Sequence, residues 1–221
     1  DPNLLLNSIQ LAYSSNQYSV SDIAAELTRV QYFNGRDYFN GLSGATLNGI
    51  WERTYSSGTN LTGASTVDVG ILANLQALEA IDAETDIDYS FHIALGKTMY
   101  AHSLLQMVDL IGEAAFTQAG NPGEFPAPTL DSGEVVYAGA LTLLDEAEAL
   151  LASDPSDQGA NDLFYGGDTG KWIKVINSIR LRTYKNTDNK AAFDAIVAGG
   201  DYIASAEDDF QLRYGTSELQ P

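Results

Sequence analysis

The chain has 221 residues, of which 44% are hydrophobic and 19% are charged, so it has enough apolar content to bury a core and too little charge for disorder. Thirty acidic residues against eleven basic ones give a formal net charge of −19, which argues against nucleic acid and anionic membrane surfaces as partners. The absence of cysteine excludes a disulfide framework, a thiolate zinc site and a thiol nucleophile.

The two ends of the chain suggest a piece of a longer protein. The opening residues, DPNLLLNSIQ, lack the basic and long apolar regions of a signal peptide, and no apolar run reaches the about 18 residues of a membrane span. The chain also stops abruptly at ELQP. From the length we expect one domain over residues 1–221, with a helix-pair scaffold at about 64–200.

The first half of the chain is predicted to be helical. Apolar residues recur at spacings of three and four far more often than at two, which is typical of helices. The pattern predicts a first pair of helices at 3–15 and 20–33, the second capped by Ser19 or Ser21. A second pair is predicted at 44–56 and 64–82.

The second half contains the clearest helix, over about 87–111. Asp86 or Asp88 would cap its start, and Gly112 would end it. A segment rich in Pro and Gly at 113–131 predicts a long ordered surface loop, followed by helices at 133–152, 170–185 and 189–198. One apolar stripe is predicted for 87–111: Phe91, Ala94, Leu95, Thr98, His102, Leu105 and Val108. Spacing alone is equally compatible with stacked antiparallel helix pairs and with a globular helical bundle.

Catalytic and metal-binding signatures are weak. His92 and His102 are the only histidines and cannot pair as metal ligands on one helix, so we interpret them as half-buried core residues. The alternating acids at 82–88 lack the glycine and the final glutamate of a calcium loop. Serine-hydrolase, P-loop, dinucleotide and zinc-protease motifs are absent. The sequence therefore predicts no catalytic residue, no metal ligand and no cofactor.

Basic residues are concentrated in one predicted helix. Five of the eleven lie between 171 and 185, and four of them project onto one face: Lys171, Lys174, Arg182 and Lys185. This face is either an anion or partner site or, as we favour, a helix docked by charge against acidic neighbours such as those at 145–168. The adjacent apolar stripe is Trp172, Val175, Ile176, Ile179 and Thr183, which makes Trp172 a predicted core residue.

The densest aromatic cluster lies in a turn-rich stretch, YFNGRDYFNG at 32–41. Its rings are those of Tyr32, Phe33, Tyr38 and Phe39, and its polar residues are Asn34, Arg36, Asp37 and Asn40. Aromatic rings beside amides and charges suit a sugar, because a pyranose presents apolar C–H faces and hydroxyl groups. The alternative is a small satellite core under the loop.

Several stretches in order resemble the SusD/RagB family of nutrient-binding outer-membrane lipoproteins of Bacteroidota. They are IWERTYSSGTNL at 50–61, HIALGKTMYAHSLLQMVDLIGEAAFTQA at 92–119, and FPAPTLDSGEVVYAGALTLLDEAEALL from 125. The most specific is DLFYGGDTGKWIKVINSIRLRTYKN at 162–186, which is similar to the family's Asp-x-x-Tyr-x-Gly-Asp, Lys-Trp and Asn-Ser-x-x-x-Arg signature. The resemblance covers nearly the whole chain.

The resemblance implies an all-α fold with tetratricopeptide-like antiparallel helix pairs and long ordered loops. Such proteins are not enzymes; they capture oligosaccharides, or peptides in the RagB branch, as lids over a TonB-dependent SusC-like transporter. Members are usually about twice this length, so the chain would be the N-terminal portion. A lipidated cysteine before Asp1 would be the only membrane anchor. The basic helix and the 87–111 helix would then have structural or docking roles.

We therefore expect a cell-surface glycan-binding protein. The candidate ligand-binding residues are Tyr32, Tyr38, Phe39 and Trp51 for stacking and Arg36, Asp37 and Asn40 for hydroxyl groups. Trp51 also matches a recurrent family tryptophan, which we interpret first as packing. The alternatives are a transporter-docking scaffold with its ligand site in the C-terminal half, peptide capture, and a helical glycoside hydrolase lobe. The net charge favours neutral glycans.

Overall fold

The structure is a computed structural model that describes residues 1–32, 44–56, 70–153, 155 and 161–212. Within these ranges the fold is all-α, as predicted. The elements are α1 (Pro2–Leu27), α2 (Gly44–Tyr55), α3 (Ile71–Glu84), α4 (Ser90–Ile111), β1 (Glu113–Ala114), β2 (Asp131–Ser132), α5 (Gly133–Ala152), α6 (Thr169–Asn186), α7 (Lys190–Gly199) and a 3-10 turn (Ala206–Asp208). The single domain over residues 1–221 with its scaffold at 64–200 stays a prediction.

Helix α1 corrects the first predicted pair, because residues 2–27 form one continuous helix of 26 residues. The Ser and Asn residues at 14–19 suggested a break, since such side chains compete with the helical backbone. Here Asn16 is buried and donates to the Thr54 hydroxyl of α2 at 3.1 Å, so a tertiary contact satisfies it. The helix begins at Asp1, whose side chain accepts from the Asn3 amide, and neither Ser19 nor Ser21 acts as a cap.

The boundaries of α3 and α4 also differ from the predicted ones. Helix α3 begins after Gly70, and residues 64–69 of its predicted range lie outside the described residues. Tyr89 is the N-cap residue of α4, and Asp88 accepts a hydrogen bond from the Ser90 amide at 2.9 Å. Gly112 ends α4 in the left-handed conformation, with φ of 86°, as the glycine at that position predicted.

The core surrounds α4. Of its 22 residues 16 are buried, including six of the seven predicted stripe residues, so the buried surface of the helix is wider than the predicted stripe. It packs against α1, α3 and α5. Gly96 allows α4 to approach α3 closely, since a Cβ atom on Gly96 would lie 2.9 Å from the Leu75 Cδ1 atom of α3.

Buried polar side chains join α1 to the rest of the molecule. Gln10, fully buried, donates to the Asn161 carbonyl at 2.8 Å and accepts from the Leu163 amide at 2.7 Å. Gln17 and Gln106 of α4 exchange amide hydrogen bonds of 2.8 Å. Such pairs meet the hydrogen-bonding demand of buried amides and fix the position of α1.

The two histidines lie at the α1–α4 interface. His92 is fully buried, not half-buried as predicted, and its Nε2 atom lies 3.0 Å from the Asn3 Oδ1 atom. His102 is half-buried, as predicted, and its Nδ1 atom lies 2.6 Å from the Tyr13 hydroxyl. Burial, reinforced by the positive charge of Arg182, lowers the pKa of His102 to about 3.

We expect His102 to lower the stability of the protein in acid. Between pH 6.5 and 3 the unfolded chain binds a proton at His102 that the folded chain does not, so stability falls as the pH falls, by at most about 1.4 kcal/mol per pH unit. We expect His102→Gln to remove this contribution. Urea unfolding of both proteins at pH 7.5, 6 and 5 checks this. The difference in free energy of unfolding between wild type and variant isolates His102, because the carboxylates contribute equally to both proteins. Parallel stability curves for the two proteins would contradict the prediction.

Candidate functional site

The conspicuous sequence signature at 162–168 forms a loop that docks on α6. The carboxylate of Asp162 accepts from the Trp172 indole Nε1 at 2.8 Å and from the backbone amides of Phe164 and Gly167 at 3.0 Å each. Gly166 and Gly167 take positive φ angles of 62° and 95°, which side chains disfavour. The signature therefore organises the fold around Trp172.

An aromatic cluster surrounds Trp172. The Phe164 and Phe210 rings stack with centroids 4.4 Å apart, and Trp172 meets both edge-on. Tyr165 donates from its hydroxyl to the Asp208 carbonyl at 2.7 Å. Trp172 is fully buried, so its prediction as a core residue is confirmed.

The basic residues of α6 make ion pairs within the chain. Arg180 contacts Asp145 and Glu148 of α5 at 2.5 Å each, inside the acidic segment that the sequence suggested. Lys174 pairs with Asp208 at 2.8 Å, and that hydrogen bond raises the pKa of the lysine. Beyond these pairs, Arg182 contacts Asp109 at 2.6 Å and Lys171 donates to the Glu207 carbonyl at 2.9 Å. Docking by charge is thus the observed role of Lys174, Arg180 and Arg182, whereas Lys171 contacts a backbone carbonyl and Lys185 is exposed.

The aromatic candidates for sugar stacking are only partly described. Tyr32 is 80% exposed, whereas residues 33–43, with the predicted Arg36, Asp37, Tyr38, Phe39 and Asn40, lie outside the described residues. Trp51 of α2 is half-buried against the core, with its ring centroid 4.7 Å from that of Tyr55. This contact favours the packing interpretation of Trp51, while part of the side chain remains accessible.

Trp51 lines an apolar groove of about 170 Å³ between α2 and the end of α4. Its lining residues are Leu47, Asn48, Ile50, Trp51, Met107, Leu110 and Ile111. Asn48 and the indole N–H of Trp51 are the polar side-chain groups among them, so the groove offers surface to an apolar group and few hydrogen-bonding partners.

A second, more polar groove of about 520 Å³ lies where the end of α2, the start of α3 and the α4–α5 loop meet. We call it the amide groove. Its lining residues are Tyr55, Ser56, Ala73, Gln76, Gln118, Gly120, Asn121, Pro122, Phe125, Pro126 and Pro128. The sequence predicts a surface loop at 113–131, and this groove was not predicted. The closely spaced amide side chains and prolines of 118–128 could have indicated it.

Hydrogen bonds hold the α4–α5 loop in shape. Strands β1 and β2 pair antiparallel and bring the two ends of the loop together. The Asp131 carboxylate accepts from the Thr117 and Phe116 amides at 2.8 and 2.9 Å. Burial acts in the opposite direction, but these hydrogen bonds, together with one from the Thr117 hydroxyl, lower the pKa of Asp131. The loop therefore presents a defined surface.

Neither a metal centre nor a membrane span is found where the structure describes the chain. Over those ranges no three histidine or acidic side chains group closely enough to hold a metal ion. Likewise, none of the described helices combines the length and apolar character required to cross a membrane.

The chain matches the SusD-like family model, described as starch-binding and associating with the outer membrane, over residues 3–219. Comparison with curated protein sequences finds no significant match.

Solved structures share the fold. A SusD homologue from Bacteroides fragilis is 20% identical, with a TM-score of 0.67, and the match covers 99% of this chain and 45% of that one. A SusD/RagB family protein from Bacteroides thetaiotaomicron is 19% identical, with a TM-score of 0.65 and coverage of 98% and 46%. A chitin-binding protein is 22% identical, with a TM-score of 0.55 and coverage of 76% and 34%. The chain thus spans less than half the length of these structures.

Proposed function

The chain belongs to the SusD-like family, and from this membership we propose that it binds glycans at the bacterial cell surface and passes them to a TonB-dependent SusC-like transporter. The family match over residues 3–219 carries the proposal. The starch-binding description of the family and the chitin-binding structural neighbour support a glycan as the ligand. We place the protein at the outer membrane, held by a lipid anchor.

The role we propose is binding without catalysis. SusD-like proteins are binding proteins, and Lys174, Arg180 and Arg182 of α6 are engaged in ion pairs that hold α6 to its neighbours. Hydrolysis of the captured glycan would then belong to partner enzymes. Incubation of the protein with labelled starch or chitin, followed by product analysis, tests this: released oligosaccharides would support a glycoside hydrolase instead.

The aromatic segment at 32–41 is our first candidate for the sugar contact. Stacked aromatic rings contribute about 0.5–1.5 kcal/mol each beyond the area they bury, so Tyr38→Ala and Phe39→Ala should each weaken glycan binding by about 2- to 12-fold. Calorimetry of the full-length protein with maltoheptaose and chitotetraose measures the change. Tyr18→Ala is the matched control, because Tyr18 is an exposed tyrosine on α1.

The same titration separates the two main alternatives. Unchanged affinity in both variants, with wild-type protein that binds, would move the sugar contact away from this segment. It would favour a transporter-docking scaffold whose ligand site lies in another part of the protein.

A further inference from the structure

We infer that the amide groove is an oligosaccharide subsite selective for neutral sugars. This inference rests on the proposed function and extends it to residues outside the aromatic segment. The first observation is charge: in a chain of net charge −19, none of the eleven described residues that line the groove is charged. An ordinary stretch of this surface would include carboxylates, so the groove differs from its surroundings.

The groove carries hydrogen-bonding groups suited to sugar hydroxyls. Gln76 donates from its amide nitrogen to the Gly120 carbonyl at 3.2 Å, and Gln118 accepts at its amide oxygen from the Thr129 amide at 2.9 Å. Each bond uses one end of a primary amide and fixes the side chain. The other ends, the Gln76 oxygen and the Gln118 nitrogen, provide an acceptor and a donor. A sugar hydroxyl both donates and accepts, so it can satisfy either group.

The groove also has apolar faces for the sugar rings. Tyr55 and Phe125 are half-buried, and Pro126 and Pro128 are exposed beside them. Rings of this kind cover the C–H faces of a pyranose, while the amides bond its hydroxyls. A volume of about 520 Å³ lies within the about 300–1,000 Å³ typical of small-molecule sites, which suits a short oligosaccharide.

The groove is organised before any ligand arrives. The Tyr55 hydroxyl donates to the Ala115 carbonyl at 2.6 Å, which ties α2 to the start of the α4–α5 loop. Gly120 has a positive φ of 76°, and a Cβ atom there would lie 2.4 Å from the Gln76 amide nitrogen, so the backbone and this side chain are in close contact. A preformed site reduces the entropy lost on binding.

Electrostatics selects neutral ligands. Among the residues that the structure describes, no basic side chain lines the groove to balance a carboxylate or sulfate on the sugar, and the acidic surface repels anions. Glu124 is nearby and accepts from the Asn121 amide at 2.9 Å, which adds a further negative charge at the margin. A uronic acid oligomer should therefore bind more weakly than a neutral one of equal length.

The test uses Gln118→Glu in the full-length protein. A carboxylate at this position still accepts the Thr129 hydrogen bond but removes the amide donor and adds a negative charge. We expect binding of maltoheptaose or chitotetraose, measured by calorimetry, to weaken at least about ten-fold while the melting temperature stays unchanged. Phe125→Ala should also weaken binding. The matched control is Gln211→Glu, on an exposed glutamine outside the groove, and it should bind like wild type.

The outcomes separate this inference from the proposed function. Wild-type binding that Gln118→Glu and Phe125→Ala leave unchanged would overturn the amide groove as a subsite and leave the proposed function standing. Binding of tetragalacturonate at least as tightly as of chitotetraose, which has the same number of sugars, would overturn the selectivity. A wild-type protein that binds no neutral oligosaccharide but retains a peptide from a mixed pool would overturn both, in favour of peptide capture.

Discussion

We expect Asp162→Ala to lower the free energy of unfolding by about 3–5 kcal/mol. Asp162 is only 6% exposed, and its carboxylate accepts hydrogen bonds from the Trp172 indole and from several amides of the 162–168 loop. Alanine would leave the indole N–H of a fully buried tryptophan without a partner and release the loop from α6. Urea denaturation followed by far-UV circular dichroism measures the change.

Two further variants identify the cause. Asp168→Ala is the control, since Asp168 is an exposed acid that caps α6 by accepting from the Lys171 amide, and its loss should cost about 1 kcal/mol. Trp172→Phe should cost less in the Asp162→Ala protein than in wild type, because it removes the stranded N–H. A loss below about 1 kcal/mol for Asp162→Ala would show that the loop does not depend on this carboxylate.

The second large effect concerns Arg180. We expect the double variant Asp145→Ala and Glu148→Ala to lower the free energy of unfolding by about 2–4 kcal/mol, because among the described residues it leaves the buried guanidinium only the Asn177 side chain as a hydrogen-bond partner. Arg180 is 6% exposed, whereas Asp145 is 71% exposed on its side-chain surface. The loss of stability therefore comes from the unpaired guanidinium, which water reaches poorly. Urea denaturation measures the change in free energy of unfolding.

The reverse substitution should be milder. Arg180→Met replaces the buried cation by an apolar chain and leaves two carboxylates that water can solvate, so we expect a loss of less than about 1.5 kcal/mol. The control is Asp194→Ala, which breaks the exposed pair with Lys190 and should cost no more than about 0.5 kcal/mol. If the double variant proves as mild as Asp194→Ala, the α5–α6 ion pairs are not a stabilising contact.

Local chemistry determined much of this protein. Helices α2, α5 and α6 follow apolar spacings, and Gly112 and Gly200 end α4 and α7 in left-handed conformations that glycine alone adopts without strain. The signature residues of 162–186 indicated the SusD/RagB family, which the family match confirms. These features could be predicted because each depends on residues that are close together in the sequence.

Tertiary contacts decided the rest. Asn16 suggests a helix break in the sequence, yet it lies inside α1 because the Thr54 hydroxyl satisfies it from another helix. The partners of Arg180 and Arg182 come from α5 and α4, at positions that no spacing identifies. The amide groove exists only because Gln76 of α3 meets Gly120 of a loop 44 residues later. The spacing of apolar residues indicates which residues share one face of a helix. Burial, ion pairing and a binding surface depend on contacts between segments that are far apart in the sequence.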